Sequence, residues 1–282
     1  MSAPRHNEFR EAGHEACSIR HGSTPLLIVL PHIGTKVPLH RSGEGWDSLR
    51  SGWADPAAHL VLSIAHDMDV STIEGIYHPK LIDLNVDAEG PLTDSFQREH
   101  LCARSTPSGL QLRDPLDYHE VPGLVTNIWQ PFHDAASSEI SRLSMLHDEV
   151  VVLVIHAEQR LKGWNFDAFE SSCIIATDLG QSTGRPFLEA FIAPLNVSGH
   201  SWVVNPWYSR AATAHRYGAP ANGVHVIEAE IGARLRNQCE LTERSPRKWS
   251  NSDGYCAGHL LFNMLHSICA AAAASRMPGV SR

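Results

Sequence analysis

Val150-Val151-Val152-Leu153-Val154-Ile155 is an unbroken apolar run that stops at His156. A run this short and this rich in β-branched residues reads as a strand buried on both faces, as in the middle of a parallel sheet. Two other stretches share the pattern. Pro25–Leu30 (PLLIVL) ends at Pro31-His32, with a glycine-containing loop after it, and Val224–Ile231 (VHVIEAEI) carries Glu228 and Glu230. Open α/β sheets build their ligand sites at strand ends. Two imidazoles and an acid, each closing an apolar run, are the ingredients of a hydrolytic zinc site.

Around these strands the chain alternates in type. Asp55-Pro56 opens a helical pattern with Leu60, Ile64 and Met68 on one face, with Asp at the cap and Pro at the first helical position. Ser71–Tyr77 and Lys80–Leu84 read as two short strands. Glu89–Gly123 is rich in Pro, Gly, Asp and Ser and reads as a long loop region suited to covering a site. The pattern predicts a helix over Trp129–His147, a strand over Ser172–Ala176 and a helix containing Phe187–Ile192. A short strand starts at Val203-Val204, and a helix over Asp253–Ser275 closes the chain. Strands alternating with helices predict an α/β fold whose mostly parallel sheet is covered on both faces.

Composition narrows the function. At 282 residues the chain can bury a full core, and a single catalytic domain over residues 1–282, with a peripheral segment over the first 20, is the simplest organisation. A net charge of −8 without a long basic block argues against nucleic acid as a partner. Met1–Arg20 has no apolar core of a secretory signal, and no stretch reaches the roughly 20 apolar residues of a membrane span. The expectation is a cytoplasmic protein that acts on a small-molecule substrate, away from membranes; a homo-oligomer is compatible with this. The six cysteines form no CxxC pair, so reduced thiols are expected and a cysteine zinc site is not.

The candidate site residues each carry two readings. His32 and His156 sit at strand ends, where a shared metal outweighs a satisfied loop histidine. Asp55 caps a helix and can also face a metal, with His59 one turn later as an alternative ligand. Glu228 and Glu230 point to the same side of their strand. Two carboxylates on one face of a buried strand are costly unless paired, used for proton transfer or bound to metal, so at least one is expected to be functional. Asp83 and Asn85 suit a turn. Arg210, His215 and Arg216 form a basic cluster that is either a solvated helix face or an anchor for a carboxylate.

In order, Pro31-His32-Ile33-Gly34-Thr35, Asp55, Tyr77–Val86, Val154–Ala157 and Asn205–Ile231 resemble the motifs of the N-formylglutamate amidohydrolase (deformylase) family. The segment His215–His225 (HRYGAPANGVH) is the most distinctive, and the likeness runs from about residue 25 to 235. The resemblance implies a three-layer αβα fold with a mostly parallel mixed sheet, like that of zinc carboxypeptidases. It implies one Zn2+ per chain and hydrolysis of a C–N amide bond. It would make His32, Asp55 and His156 the zinc ligands and Glu230 the general base, with His78, Asn85, Arg210, His215 and Arg216 around the substrate. The chain looks like a divergent member. Ile33 follows the first histidine, Pro79 and Val86 stand where the family has arginines, Arg210-Ala211-Ala212 replaces a Gly-Gly-Tyr, and Glu228 replaces a glutamine. An N-formyl or N-acyl compound other than N-formylglutamate is therefore the expected substrate. The alternatives are an ester, lactone or cyclic amide cleaved on the same fold, or a binding protein without catalysis; retention of His32, His156 and Glu230 disfavours the last.

Overall fold

The structure, a computed structural model, describes residues 16–50, 56–88, 101–106, 108–113, 120–157, 171–206, 211–232, 235–236, 238–239 and 257–275. Its strands are β1 (Cys17–Arg20), β2 (Leu26–Leu30), β3 (Ser71–Gly75), β4 (Val150–Ala157), β5 (Cys173–Ala176), β6 (Trp202–Val204) and β7 (Val224–Ile231). They form one sheet in the order β1-β3-β2-β4-β7-β5-β6. The helices used below are α1 (Glu44–Arg50), α2 (Pro56–Asp67), α3 (Val121–Leu124), α4 (Gln130–Ser144), α5 (Arg185–Val197), α6 (Ala212–Tyr217) and α7 (Ala257–Ala274).

The four middle strands, β3, β2, β4 and β7, run parallel. At the edges β1 is antiparallel to β3, and β5 is antiparallel to β7 with β6 parallel to β5. The sheet is thus mixed with a parallel centre, as expected. Its side chains alternate between two apolar layers. Leu26, Ile28, Leu30, Val151, Leu153, Ile155, Ile227 and Ala229 join the residues of α2, α5 and α7. Leu27, Val29, Val152, Val154 and Val226 join Trp46, Leu81, Trp129 and Phe132 on the other face. Each fully buried Val, Leu, Ile or Phe among them contributes roughly 1.5–3 kcal/mol. Burial on both faces is why these strands read as solid apolar runs, without the polar alternation of a half-exposed sheet.

By length and composition α7 is apolar enough to cross a membrane. Here it packs on α2 and α5, burying Leu260, Leu261, Met264, Leu265 and Ile268.

Several sequence expectations are corrected. Lys80–Leu84 is not a strand but part of a turn, with the Leu81 N–H donating to the His78 carbonyl at 2.8 Å. Leu81, Ile82 and Leu84 are all buried, and an apolar run alone does not separate a strand from a packed loop; Pro79 interrupts any ladder there. β1 was not anticipated, because CSIR is short and mostly polar. Val203-Val204 ends β6 rather than starting it. The expected loop over Glu89–Gly123 runs into α3 at Val121; within it, residues 89–100, 107 and 114–119 lie outside the described residues, as do Asp55 and Arg210.

Candidate active site

Parallel pairing of neighbouring strands puts their C-terminal ends at one edge of the sheet. His32 follows β2, His156 closes β4, and their ring centroids stand 5.1 Å apart, nearly edge to face. On the far side of β4 the register places His156 opposite Glu230 of β7. Glycine at 34 lets the chain after His32 turn close against the next loop, since a Cβ there would come within 2.4 Å of the Tyr77 carbonyl oxygen.

The 78–88 turn closes over this edge. Asp83 Oδ1 lies 2.7 Å from His32 Nε2 and also accepts the Asn85 N–H at 2.8 Å. Asn85 Nδ2 donates to Glu228 Oε2 at 3.1 Å and lies 3.4 Å from His156 Nε2. Thr213 Oγ1 donates to Asn85 Oδ1 at 2.5 Å, and the Ala214 N–H donates to Glu228 Oε1 at 2.7 Å. Behind the turn, His133 Nε2 sits 3.0 Å from the Leu84 carbonyl and Nδ1 2.5 Å from the Tyr217 hydroxyl.

Electrostatics follow from this packing. Burial, reinforced by His32, pushes His156 down to about 3, so the ring is neutral. Burial, then Lys80 and His32, lowers His78 to about 4. Burial works against the Asp83 carboxylate, but His32, the Asn85 N–H and His156 together hold its pKa below the ordinary value. Burial raises Glu228 to about 7, against the hydrogen bonds from Ala214, Asn85 and Thr213.

His133 carries a pH prediction. Burial, with Arg216 nearby, lowers it to about 3. Below pH 6.5 the unfolded chain takes up this proton and the folded chain does not. The stability tied to the neutral ring is therefore present above pH 6.5 and lost as pH falls toward 3, by up to about 1.4 kcal/mol per pH unit. Chemical denaturation of wild type and His133→Phe at pH 7 and pH 4.5 should show a smaller pH loss in the variant. Both proteins retain the other buried groups with shifted pKa values, His78 and His156 acting with the same sign and Glu228 with the opposite, so the difference between them reports the loss of the His133 ring. Equal pH losses would refute the assignment.

The other expected site residues scatter. His78 lies beside His32, with its Nδ1 accepting the Lys80 N–H at 3.0 Å. Arg216 stacks over Trp129 at 4.5 Å and reaches Asp87 at 3.3 Å. His215 is exposed and pairs with Asp178 at 2.9 Å, which raises its pKa. His59 is exposed on α2, where it interacts with Glu74. Thr213, His133 and Tyr217 were not singled out as site residues from sequence; the spacing of Trp129 and His133 by one helical turn was the available signal.

Among the described residues, no three His, Cys, Asp or Glu side chains gather as a metal cage. His32 and His156 are two nitrogen donors side by side, and the expected third ligand, Asp55, lies outside the described residues. The chemistry of the pair fits zinc. Neutral imidazole is the form that ligates, and a carboxylate on the second ring nitrogen, as Asp83 is on His32, is a common support for a ligating histidine.

A model of the N-formylglutamate amidohydrolase family matches residues 24–236. The chain belongs to this family. N-formylglutamate deformylase of Pseudomonas aeruginosa is 24% identical over 243 residues, covering 82% of this chain and 88% of the relative. The Pseudomonas putida deformylase is 24% identical over 236 residues, covering 76% and 82%. The solved N-formylglutamate amidohydrolase of Ralstonia eutropha JMP134 superposes with a TM-score of 0.67 at 14% identity, over 92% of this chain and 98% of that one. A gene product of Agrobacterium tumefaciens gives 0.66 at 17% identity, over 95% and 98%. The fold is that of the amidohydrolases, and membership supports hydrolase activity.

Proposed function

We propose that the protein is a zinc-dependent amidohydrolase cleaving the C–N bond of an N-formyl or N-acyl small molecule less charged than N-formylglutamate. The observation that carries this is the convergence of His32, His156 and Glu230 at the C-terminal edge of three adjacent parallel strands, backed by Asp83 and Asn85. His32, His156 and Asp55 would hold the ion, His32 through the ring nitrogen opposite Asp83. Zinc, when bound, lowers the pKa of a bound water to about 7 and polarises an amide carbonyl. The rest is the work of the chain. Glu230 takes the proton of the attacking water on its carboxylate and returns it to the leaving nitrogen. Asp83 holds His32 in one tautomer. His78, neutral and influenced by His32, would donate to the carbonyl oxygen as charge develops there.

Specificity follows from the two positions where the family's arginines are missing. Pro79 is buried and Val86 half-buried, and neither offers a side-chain donor. Arg216 is engaged by Asp87 and by Trp129, whose indole N–H also donates to the Val86 carbonyl. Each missing charged hydrogen bond removes about 1.5–3 kcal/mol from binding of a second carboxylate. A neutral or aromatic N-formyl or N-acyl compound should accordingly exceed N-formylglutamate in kcat/KM by about 10-fold or more. The test is a substrate panel run on the zinc-loaded enzyme. N-formylglutamate as the best substrate would overturn the specificity argument, and no amide turnover across the panel would overturn the reaction class.

A further inference from the structure

The residues that face the two imidazoles sit on a turn, and the helical layer behind that turn holds it by its carbonyls. Trp129 Nε1–H donates to the Val86 carbonyl at 2.9 Å, and His133 Nε2 lies 3.0 Å from the Leu84 carbonyl. The two donors are four positions apart across the junction between a π-helical turn, Val125–Trp129, and α4. They therefore project from one helix face with about 5–6 Å between them. The acceptors are two positions apart along the chain, a reach of at most roughly 7 Å, so the two spacings match. Leu84 lies between Asp83, which touches His32, and Asn85, which approaches His156. π-helical turns recur at functional sites.

The hydrogen bonding of His133 is assigned by its partners. A carbonyl only accepts, so Nε2 carries the proton and donates to Leu84. Nδ1 then accepts from the Tyr217 hydroxyl at 2.5 Å. The ring is wedged against Trp129 and Phe132, at centroid distances of 4.1 and 5.3 Å. Tyr217 ends α6, and the start of α6 grips the front of the turn through Thr213 to Asn85 and ties to β7 through Ala214 to Glu228. One imidazole thus joins α4 to the back of the turn and to the helix that holds its front.

We propose that His133 is a positioning residue for the reaction: through Leu84 it sets where Asp83 and Asn85 stand against His32 and His156. This rests on the zinc amidohydrolase reading of the site. His133→Phe keeps the ring volume and its aromatic contacts but removes both nitrogens. His133→Gln retains a side-chain N–H that can reach the Leu84 carbonyl. In the metal-free protein, the imidazole nitrogen resonances of His32 and His156 should shift in His133→Phe and return toward wild type in His133→Gln. Zinc affinity, measured by chelator competition, should fall about 10–100-fold in His133→Phe. Turnover should fall by up to about 100-fold, with KM little changed, as for a displaced constellation. His133→Gln should recover most of both.

A residue that only stabilises the fold would lower the melting temperature and leave these readouts alone. Wild-type resonances in a folded His133→Phe would overturn the proposal, as would a His133→Gln no better than His133→Phe at equal stability. Resonances that move in a protein that holds no zinc and hydrolyses no amide would keep the positioning role of His133 over the turn and overturn the zinc amidohydrolase reading instead.

Discussion

Glu230→Gln is expected to fold, to retain its metal and to lose turnover by about 100-fold or more, the scale of removing a general base. The substitution is nearly isosteric and abolishes only the ability to accept a proton. The position follows from register: β7 pairs with β4 in parallel, so Glu230 stands directly beside His156. Glu228 shares that face of the strand, and its raised pKa of about 7 would suit proton transfer. Its geometry does not. Glu228 is 2% exposed, and its two oxygens are held by the Ala214 N–H and by Asn85 Nδ2. A carboxylate tied down in this way fixes α6 to the sheet and is not available to a substrate. The measurement is kcat at saturating substrate, with thermal melting and metal content as controls. A nearly normal rate in Glu230→Gln would refute the role.

Alanine at His32 or at His156 is expected to abolish stoichiometric zinc, while wild type holds about one ion per chain. Both rings stand at the same edge of the sheet, 5.1 Å apart, one just past β2 and one closing β4, strands whose pairing the apolar core enforces. Removing one ring leaves a single imidazole and the expected carboxylate, too few donors for a tight site. Asp83→Asn should be milder, weakening affinity by about 10–100-fold, because it loosens the hold on His32 without removing a ligand. Elemental analysis after dialysis decides the matter. Equal zinc in wild type and both alanine variants would sink the metal assignment.

The strands at the heart of the sheet were legible because they are buried on both faces; VVVLVI and VHVIEAEI appear in the structure where the sequence puts them. The strand-end positions of His32 and His156 were legible for the same reason. The support behind them was not. Asp83 and Asn85 read as turn formers, which they are, since the Asn85 N–H bonds back to Asp83. Their contacts to the imidazoles come from where the turn is carried, and that depends on His133, Trp129 and Arg113, the last of which donates to the Leu81 carbonyl at 2.7 Å. Hydrogen bonds from buried side chains to loop carbonyls leave no periodic trace. The basic cluster shows how sequence neighbours part in space. His215 and Arg216 are neighbours in sequence, but one faces Asp178 and the other stacks on Trp129, because successive residues of a helix point in different directions.

The turn that closes the site also fixes when the site can exist. Its contacts bridge 51 positions from Asp83 to His32, 71 from Asn85 to His156 and 143 from Asn85 to Glu228. Loops of that length must close before any of these contacts is rewarded, so the site assembles late in folding, after the sheet has paired through to its last central strand. A nascent chain that has not yet reached Val224 carries both imidazoles but lacks the strand that bears Glu228 and Glu230. Under the proposed reading, a zinc ion would be a guest of a finished sheet rather than its organiser. In that respect it would differ from small zinc domains, whose chains fold around the metal.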